Sequence, residues 1–142
     1  MPLSLAITAS ASALEAQRAR MEVAVSNMAN AESTRGADGE PYRRRDVVLT
    51  SSPVGSAFDA AMGRANAVGV KVSNVVQDQM PFKQRYEPSH PDADAQGYVQ
   101  VPNVDVPEEM VDMMSAARAY QANLTAIGVV RDTIQKALEL GR

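Results

Sequence analysis

The side chains best suited to chemistry gather in two places. His90, the one histidine, sits in Pro88-Ser89-His90-Pro91-Asp92-Ala93-Asp94, and an imidazole with two carboxylates is a donor set that a divalent cation can use. Metal binding needs those donors fixed on one face of a helix or strand. Here they are strung along a proline-flanked turn, which predicts solvated acids closing a loop. Asp105, Glu108, Glu109 and Asp112 form the second group, and paired carboxylates can share acid and base work. Their place at the start of a helical stretch has a simpler reading, because carboxylates complement the positive end of the helix dipole. With one histidine and no cysteine, most nucleophile–base pairs and thiolate zinc sites are out of reach. The sequence therefore predicts no catalytic, cofactor-binding or metal residue, and no enzyme.

Charge narrows the partners. Fourteen basic and 17 acidic residues leave a net charge of −3, and the one basic run, Arg43-Arg44-Arg45, is offset by Asp38, Glu40 and Asp46. That balance does not predict nucleic acid as a partner. The run reads either as a solvated strand face or as a salt-bridge site between subunits. Aromatic residues make up 4% of the chain, with no tryptophan, which speaks against a small-molecule pocket. The opening Met1-Pro2-Leu3-Ser4-Leu5-Ala6-Ile7 lacks the basic, apolar and cleavage segments of a secretory signal. No stretch reaches the roughly 20 apolar residues of a membrane span. Recognition is expected to rest on shape and apolar surface.

The elements that carry such a surface are helices. Six of the eight glycines lie between Gly36 and Gly97, and six of the eight prolines between Pro41 and Pro102, which leaves Ser4–Asn30 and Glu108–Leu140 free to stay helical. In the tail, Met110, Met113, Ala117, Tyr120, Leu124, Ile127, Arg131, Ile134 and Leu138 alternate by three and four residues, a heptad seam with one polar member. Pro107 suits its first turn and Gly141 its stop. In the head, Ile7, Leu14, Met21 and Met28 recur every seven residues, with Leu3, Ala11 and Val25 between them. At about 1.5 Å per residue these helices run about 40 and 50 Å, longer than is usual in small domains. Ordering a helix of this length at about 1 kcal/mol per residue outweighs what its own apolar stripe recovers. The tail is thus expected to be marginal until its seam is shared with neighbouring subunits.

The middle, residues 31–106, reads as a β-rich insertion between the halves of a terminal-helix domain, 1–30 plus 107–142. Tyr42–Leu49, Val68 to Val72 and Gly97–Val101 have strand character, and Asp38-Gly39 signals a turn. Residues 50–67, rich in Ser, Gly and Ala, predict a flexible loop with a short helix near Phe58–Gly63. The fold class is α+β: two long terminal helices packed as an antiparallel, coiled-coil-like pair around a small β-rich, loop-containing middle.

Where the head helix ends, Ala24-Val25-Ser26-Asn27-Met28-Ala29-Asn30-Ala31-Glu32-Ser33-Thr34 resembles the signature of the flagellar rod and hook axial proteins. Gly36 through Arg43, Tyr86-Glu87-Pro88, Asp94 through Val99, Pro102 through Val106, Glu109-Met110-Val111 and Ala119 through Asn123 extend the resemblance over nearly the whole chain. The longer stretch between Ala31 and Tyr42 is similar to that of the proximal rod members. The resemblance implies a non-catalytic subunit of the basal-body rod, in the periplasmic space, whose terminal helices form the inner layer of a helical tube. It also implies export through the flagellar type III apparatus without a cleaved signal. Its partners would be copies of itself, other proximal and distal rod proteins, and the rod base at the MS ring. On this reading the assembly residues are Ile7, Leu14, Met21, Asn27, Met28 and Asn30 in the head. In the tail they are Met110, Met113, Ala117, Tyr120, Gln121, Asn123, Leu124, Ile127, Ile134 and Leu138. Asn27 and Asn30 are expected to end the head helix by bonding loose backbone groups, or to reach a neighbouring subunit.

Overall fold

The computed structural model describes residues 3–36, 38–54 and 67–141. Their order is α1 (Leu3–Ala29), β1 (Arg45–Val54), β2 (Ala67–Gln77), β3 (Lys83–Tyr86), β4 (Tyr98–Val101) and α2 (Val106–Leu140). The α+β class holds, with one long helix at each end and small antiparallel strands between.

Each helix is punctuated by local chemistry. Asp105 caps α2: its side chain accepts from the Glu108 N–H at 3.5 Å, and Pro107 occupies the first turn, where its missing donor is no loss. Gly141 follows α2 at φ −91°, so this end closes without a left-handed residue. α1 ends through Asn30, whose amide donates to the Ser26 carbonyl at 2.8 Å while its main-chain N–H reaches the same oxygen at 3.2 Å. That side chain gives the Ser26 carbonyl a second donor at the end of the helix.

The helices pack antiparallel. Asn27, near the end of α1, meets Glu109 at the start of α2, and Arg20, two turns back along α1, bridges to Asp112, one turn on along α2, at 3.6 Å. The buried apolar residues of this pair are small, Ala16, Ala24 and Ala116, which lets the axes approach closely. Val99, Val101, Pro102 and Val104 form a second buried cluster where β4 leads into α2.

β1 and β2 make a long two-stranded ribbon that packs along α1. Its register jumps from Val48↔Asn74 to Leu49↔Val72, leaving Ser73 as the extra residue of a bulge. The valine alternation of Val68, Val70 and Val72 breaks into the adjacent pair Val75-Val76 just beyond it. The ribbon approaches α1 by its backbone at Gly69. A Cβ there would lie 2.6 Å from both Ser12 Oγ and Val54 Cγ2, and the Val70 N–H donates to Ser12 Oγ at 3.1 Å. The loop expected over 50–67 is corrected at its start: Thr50–Val54 continues β1, because Ala67–Lys71 pairs with it residue by residue. The short helix expected near Phe58–Gly63 lies outside the described residues.

β3 and β4 form a second hairpin joined by residues 87–97. Asp94 Oδ1 accepts from the N–H groups of Gln96 and Tyr98 at 2.8 and 2.9 Å, and Gly97 turns the chain at φ +84°. A Cβ on Gly97 would sit 3.0 Å from the Tyr86 ring, which packs edge-on against Tyr98. The strand expected over Tyr42–Leu49 starts later, at Arg45, because Tyr42 and Arg44 are used elsewhere.

Candidate assembly surface and the helix junction

The most buried polar residue of α1 is Asn27, 1% exposed. Its amide nitrogen donates to the Arg45 carbonyl at 2.8 Å and to Glu109 Oε2 at 2.9 Å. Its amide oxygen accepts from the Arg45 N–H and from the Tyr42 hydroxyl, each at 3.0 Å. Two donors and two lone pairs are all that a carboxamide has, and all four are used. The expectation that Asn27 reaches a neighbouring subunit therefore meets an amide already filled inside its own subunit.

Glu109, 2% exposed, closes the network from α2. Its Oε1 accepts from Arg44 Nε at 2.6 Å, so a buried carboxylate faces a guanidinium and an amide. Burial works against the charge of Arg44, but the hydrogen bond and charge of Glu109 outweigh it and hold the guanidinium above its ordinary pKa. Glu109 thus does more than complement a dipole: it carries the pairing charge for the start of the ribbon. Of its neighbours in the basic run, Arg43 lies over the Phe82 ring at 4.5 Å, and the exposed Arg45 lies 5.4 Å from the Tyr42 ring centre. Arg44 is thus committed inside the subunit, while Arg45 keeps an exposed side.

His90 closes a loop. Its Nδ1 accepts from the Asp92 N–H at 3.1 Å, and Asp92 in turn accepts from Thr34 Oγ1 at 2.8 Å and bridges to Arg35 at 3.5 Å. Thr34 and Arg35 are thereby tied to the turn between β3 and β4. Among the described residues no cluster of three or more His, Cys, Asp or Glu side chains is placed to hold a metal. Nor is any described helix long and apolar enough to cross a membrane.

The anticipated assembly residues divide into two sets. Ile7, Leu14, Met21, Met28 and Asn30 in the head are half-buried, as are Met113, Tyr120, Asn123, Ile127 and Ile134 in the tail. Met110, Ala117, Gln121, Leu124 and Leu138 are exposed, the two leucines at 46% and 69%. The face that α2 turns inward runs through Glu109, Met113, Ala116, Tyr120, Asn123, Ile127, Val130 and Ile134. It shares the Met113 row with the expected seam but substitutes the Glu109 row for the Met110 row. The Met110 row is the more apolar of the two and is the one left outside. With it lie Val111, Met114 and Val129, and Val111, Met114, Ser115 and Arg118 line an open apolar groove. α1 is different outside: Thr8, Glu15, Arg18 and Glu22 are exposed, with an Arg18–Glu22 bridge at 2.8 Å. Leu3 and Val25 are exposed on α1 as well, but of the two helices α2 leaves more large apolar side chains uncovered.

Comparison with known proteins connects this surface to a family. Residues 95–140, which hold β4 and α2 with Glu109, match the family model described as flagellar basal body rod FlgEFG protein C-terminal. The chain is 50% identical to the flagellar basal-body rod protein FlgC of Salmonella typhimurium over 131 residues, 92% of each chain. It is 47% identical to that of Bacillus subtilis over 96% of each, and 38% identical to that of Borreliella burgdorferi over 99% of this chain and 98% of the relative. Identity at this level over almost the full length means that the chain belongs to the FlgC family of flagellar basal-body rod proteins.

Proposed function

We propose that this chain is a structural subunit of the flagellar basal-body rod that polymerises through the uncovered apolar face of α2, without catalysis. The observation that carries the reading is the split seam. One row of α2 is covered within the subunit, while Met110, Val111, Met114, Leu124, Val129 and Leu138 stay exposed along a 35-residue helix. Exposed large apolar side chains recurring along a helix of that length are characteristic of surfaces that associate with other proteins. Repeated head-to-tail contacts that do not close on themselves build a helical tube, which transmits torque by stiffness alone.

In this reading the helices, 1–30 with 107–142, form the rod core domain, and 31–106 is the middle segment that they carry. The neighbours are copies of the chain, other proximal and distal rod proteins and the rod base at the MS ring. Placement in the periplasmic space, reached by export through the flagellar type III apparatus, belongs to the same reading. Deleting the gene and imaging the cell envelope by electron microscopy tests the proposal. Basal bodies lacking rods, restored by the gene in trans, are expected; complete rods and rotating flagella in the deletion strain would overturn it.

A further inference from the structure

The apolar spacing of the helix pair does not by itself fix how the two helices are staggered. Ile7, Leu14, Met21 and Met28 on α1 and Met113, Tyr120, Ile127 and Ile134 on α2 each repeat every seven residues, and all eight are half-buried. Sliding one helix by a heptad, about 10 Å, lays apolar side chains on apolar side chains again. The deeply buried positions, Ala16, Ala24 and Ala116, are small and smooth, and offer little resistance to such a slide.

The polar junction does discriminate. We infer that Asn27, Glu109 and Arg44 form a register lock, which selects one stagger of the helix pair and ties the ribbon to it. Asn27 bonds both the N–H and the C=O of Arg45, as a residue of an adjacent strand would, so α1 cannot slide without releasing β1. Glu109 is held by Asn27 and Arg44 together, so α2 cannot slide without burying an unpaired carboxylate. A slide in one direction sets Asn27 against Ala116, which offers no acceptor; in the other it carries Asn27 past the start of α2. A single buried polar contact is enough to set register in helix pairs whose apolar pattern is degenerate. The stagger matters because it decides how much of α2 runs on beyond α1, and which apolar side chains are offered outside. The inference concerns the subunit itself and stands whether or not it assembles into a rod.

The chain has no cysteine, so engineered pairs report register directly. Fourteen residues along each helix from the Asn27–Glu109 pair lie Ala13 and Asn123, both half-buried; Ala116 and Val130 lie one heptad to either side of Asn123. A disulfide needs Cα atoms within about 7 Å, less than one heptad of displacement. Full-length chains carrying Ala13→Cys with Asn123→Cys, with Ala116→Cys or with Val130→Cys are oxidised side by side. With the lock intact the Asn123→Cys pair is expected to close at least tenfold more than either shifted pair. In Asn27→Leu/Arg44→Met/Glu109→Met, and in the milder Asn27→Ala, a shifted pair is expected to rise to within threefold of it. Equal cross-linking of all three pairs in the intact lock would overturn the inference. So would cross-linking confined to the Asn123→Cys pair in a helical variant, and so would loss of helical circular dichroism in both variants, which would make the network a stabiliser and not a selector.

Discussion

The carboxamide of Asn27 pairs with the main chain of Arg45 at 2.8 and 3.0 Å, occupying both the carbonyl and the N–H. One side chain on a helix thereby stands in for a strand on the edge of Arg45 that faces away from its partner Gln77. The same amide serves Glu109 and Tyr42, so its removal leaves several buried groups unpaired at once. Asn27→Ala is expected to lower stability by about 2–4 kcal/mol, whereas Asn30→Ala, which removes only the second donor to the Ser26 carbonyl, should lose about 1 or less. Urea titration of the full-length chain checks the difference.

Glu109 and Arg44 make the second prediction. Glu109→Ala strands a guanidinium in the junction and is expected to lose about 3–5 kcal/mol. Arg20→Ala, at a bridge with both partners partly solvated, should change stability by less than about 1 kcal/mol. A mutant cycle over Arg44 and Glu109, set beside one over Arg20 and Asp112, separates the two cases.

The pH dependence follows from the raised pKa of Arg44. A cation held above its ordinary value keeps its full contribution at every pH below the unfolded value and loses it only as pH rises through the still higher folded one. The Arg44–Glu109 coupling is therefore expected to be the same at pH 7 and pH 10. Arg44→Lys, with an ordinary value near 10.4 that the same Glu109 contact would raise, should keep its coupling to about pH 10 and lose it only above that.

Close approach gives a fourth prediction. Gly69→Val drives a side chain into Ser12 Oγ and Val54 Cγ2, each 2.6 Å from where its Cβ would lie, and should cost about 1–3 kcal/mol. Gly128, in the interior of α2, has no neighbouring atom within 4 Å of an added Cβ. Gly128→Ala should raise the helicity of free subunits and add about 0.5–1 kcal/mol. Circular dichroism and thermal melts report both.

Much of this fold could be read from residue order. Proline and glycine placement delimited both helices to within one or two residues at most ends, and the seven-residue repeats of Ile7 to Met28 and Met113 to Ile134 marked half-buried rows. The other inward row was hidden because Glu109, Ala116 and Asn123 look less like core than Met110, Ala117 and Leu124. Glu109 is buried because Arg44 and Asn27, 65 and 82 residues earlier, satisfy it, and local pattern carries no trace of that pairing. β1 was cut short for a related reason: Thr50-Ser51-Ser52-Pro53 has weak strand character and is extended by its partner strand. β3 is exposed at all four positions, so it shows no alternation to detect. Asn27 and Asn30 stood out by resemblance, but only the fold distinguishes the buried lock from the helix end.

The central claim is that the outward apolar row of α2 is the assembly surface, and substitution of Leu124 tests it most directly. Met113→Asp or Tyr120→Asp would charge the inward row and confuse folding with assembly. Leu124→Asp touches an exposed side chain, so the full-length subunit should melt within about 0.5 kcal/mol of the parent. Expressed in the deletion strain, it is expected to yield envelopes without complete rods and cells that do not swim, as seen by electron microscopy and motility assay. Complete rods and normal swimming from a stably produced Leu124→Asp subunit would contradict the account.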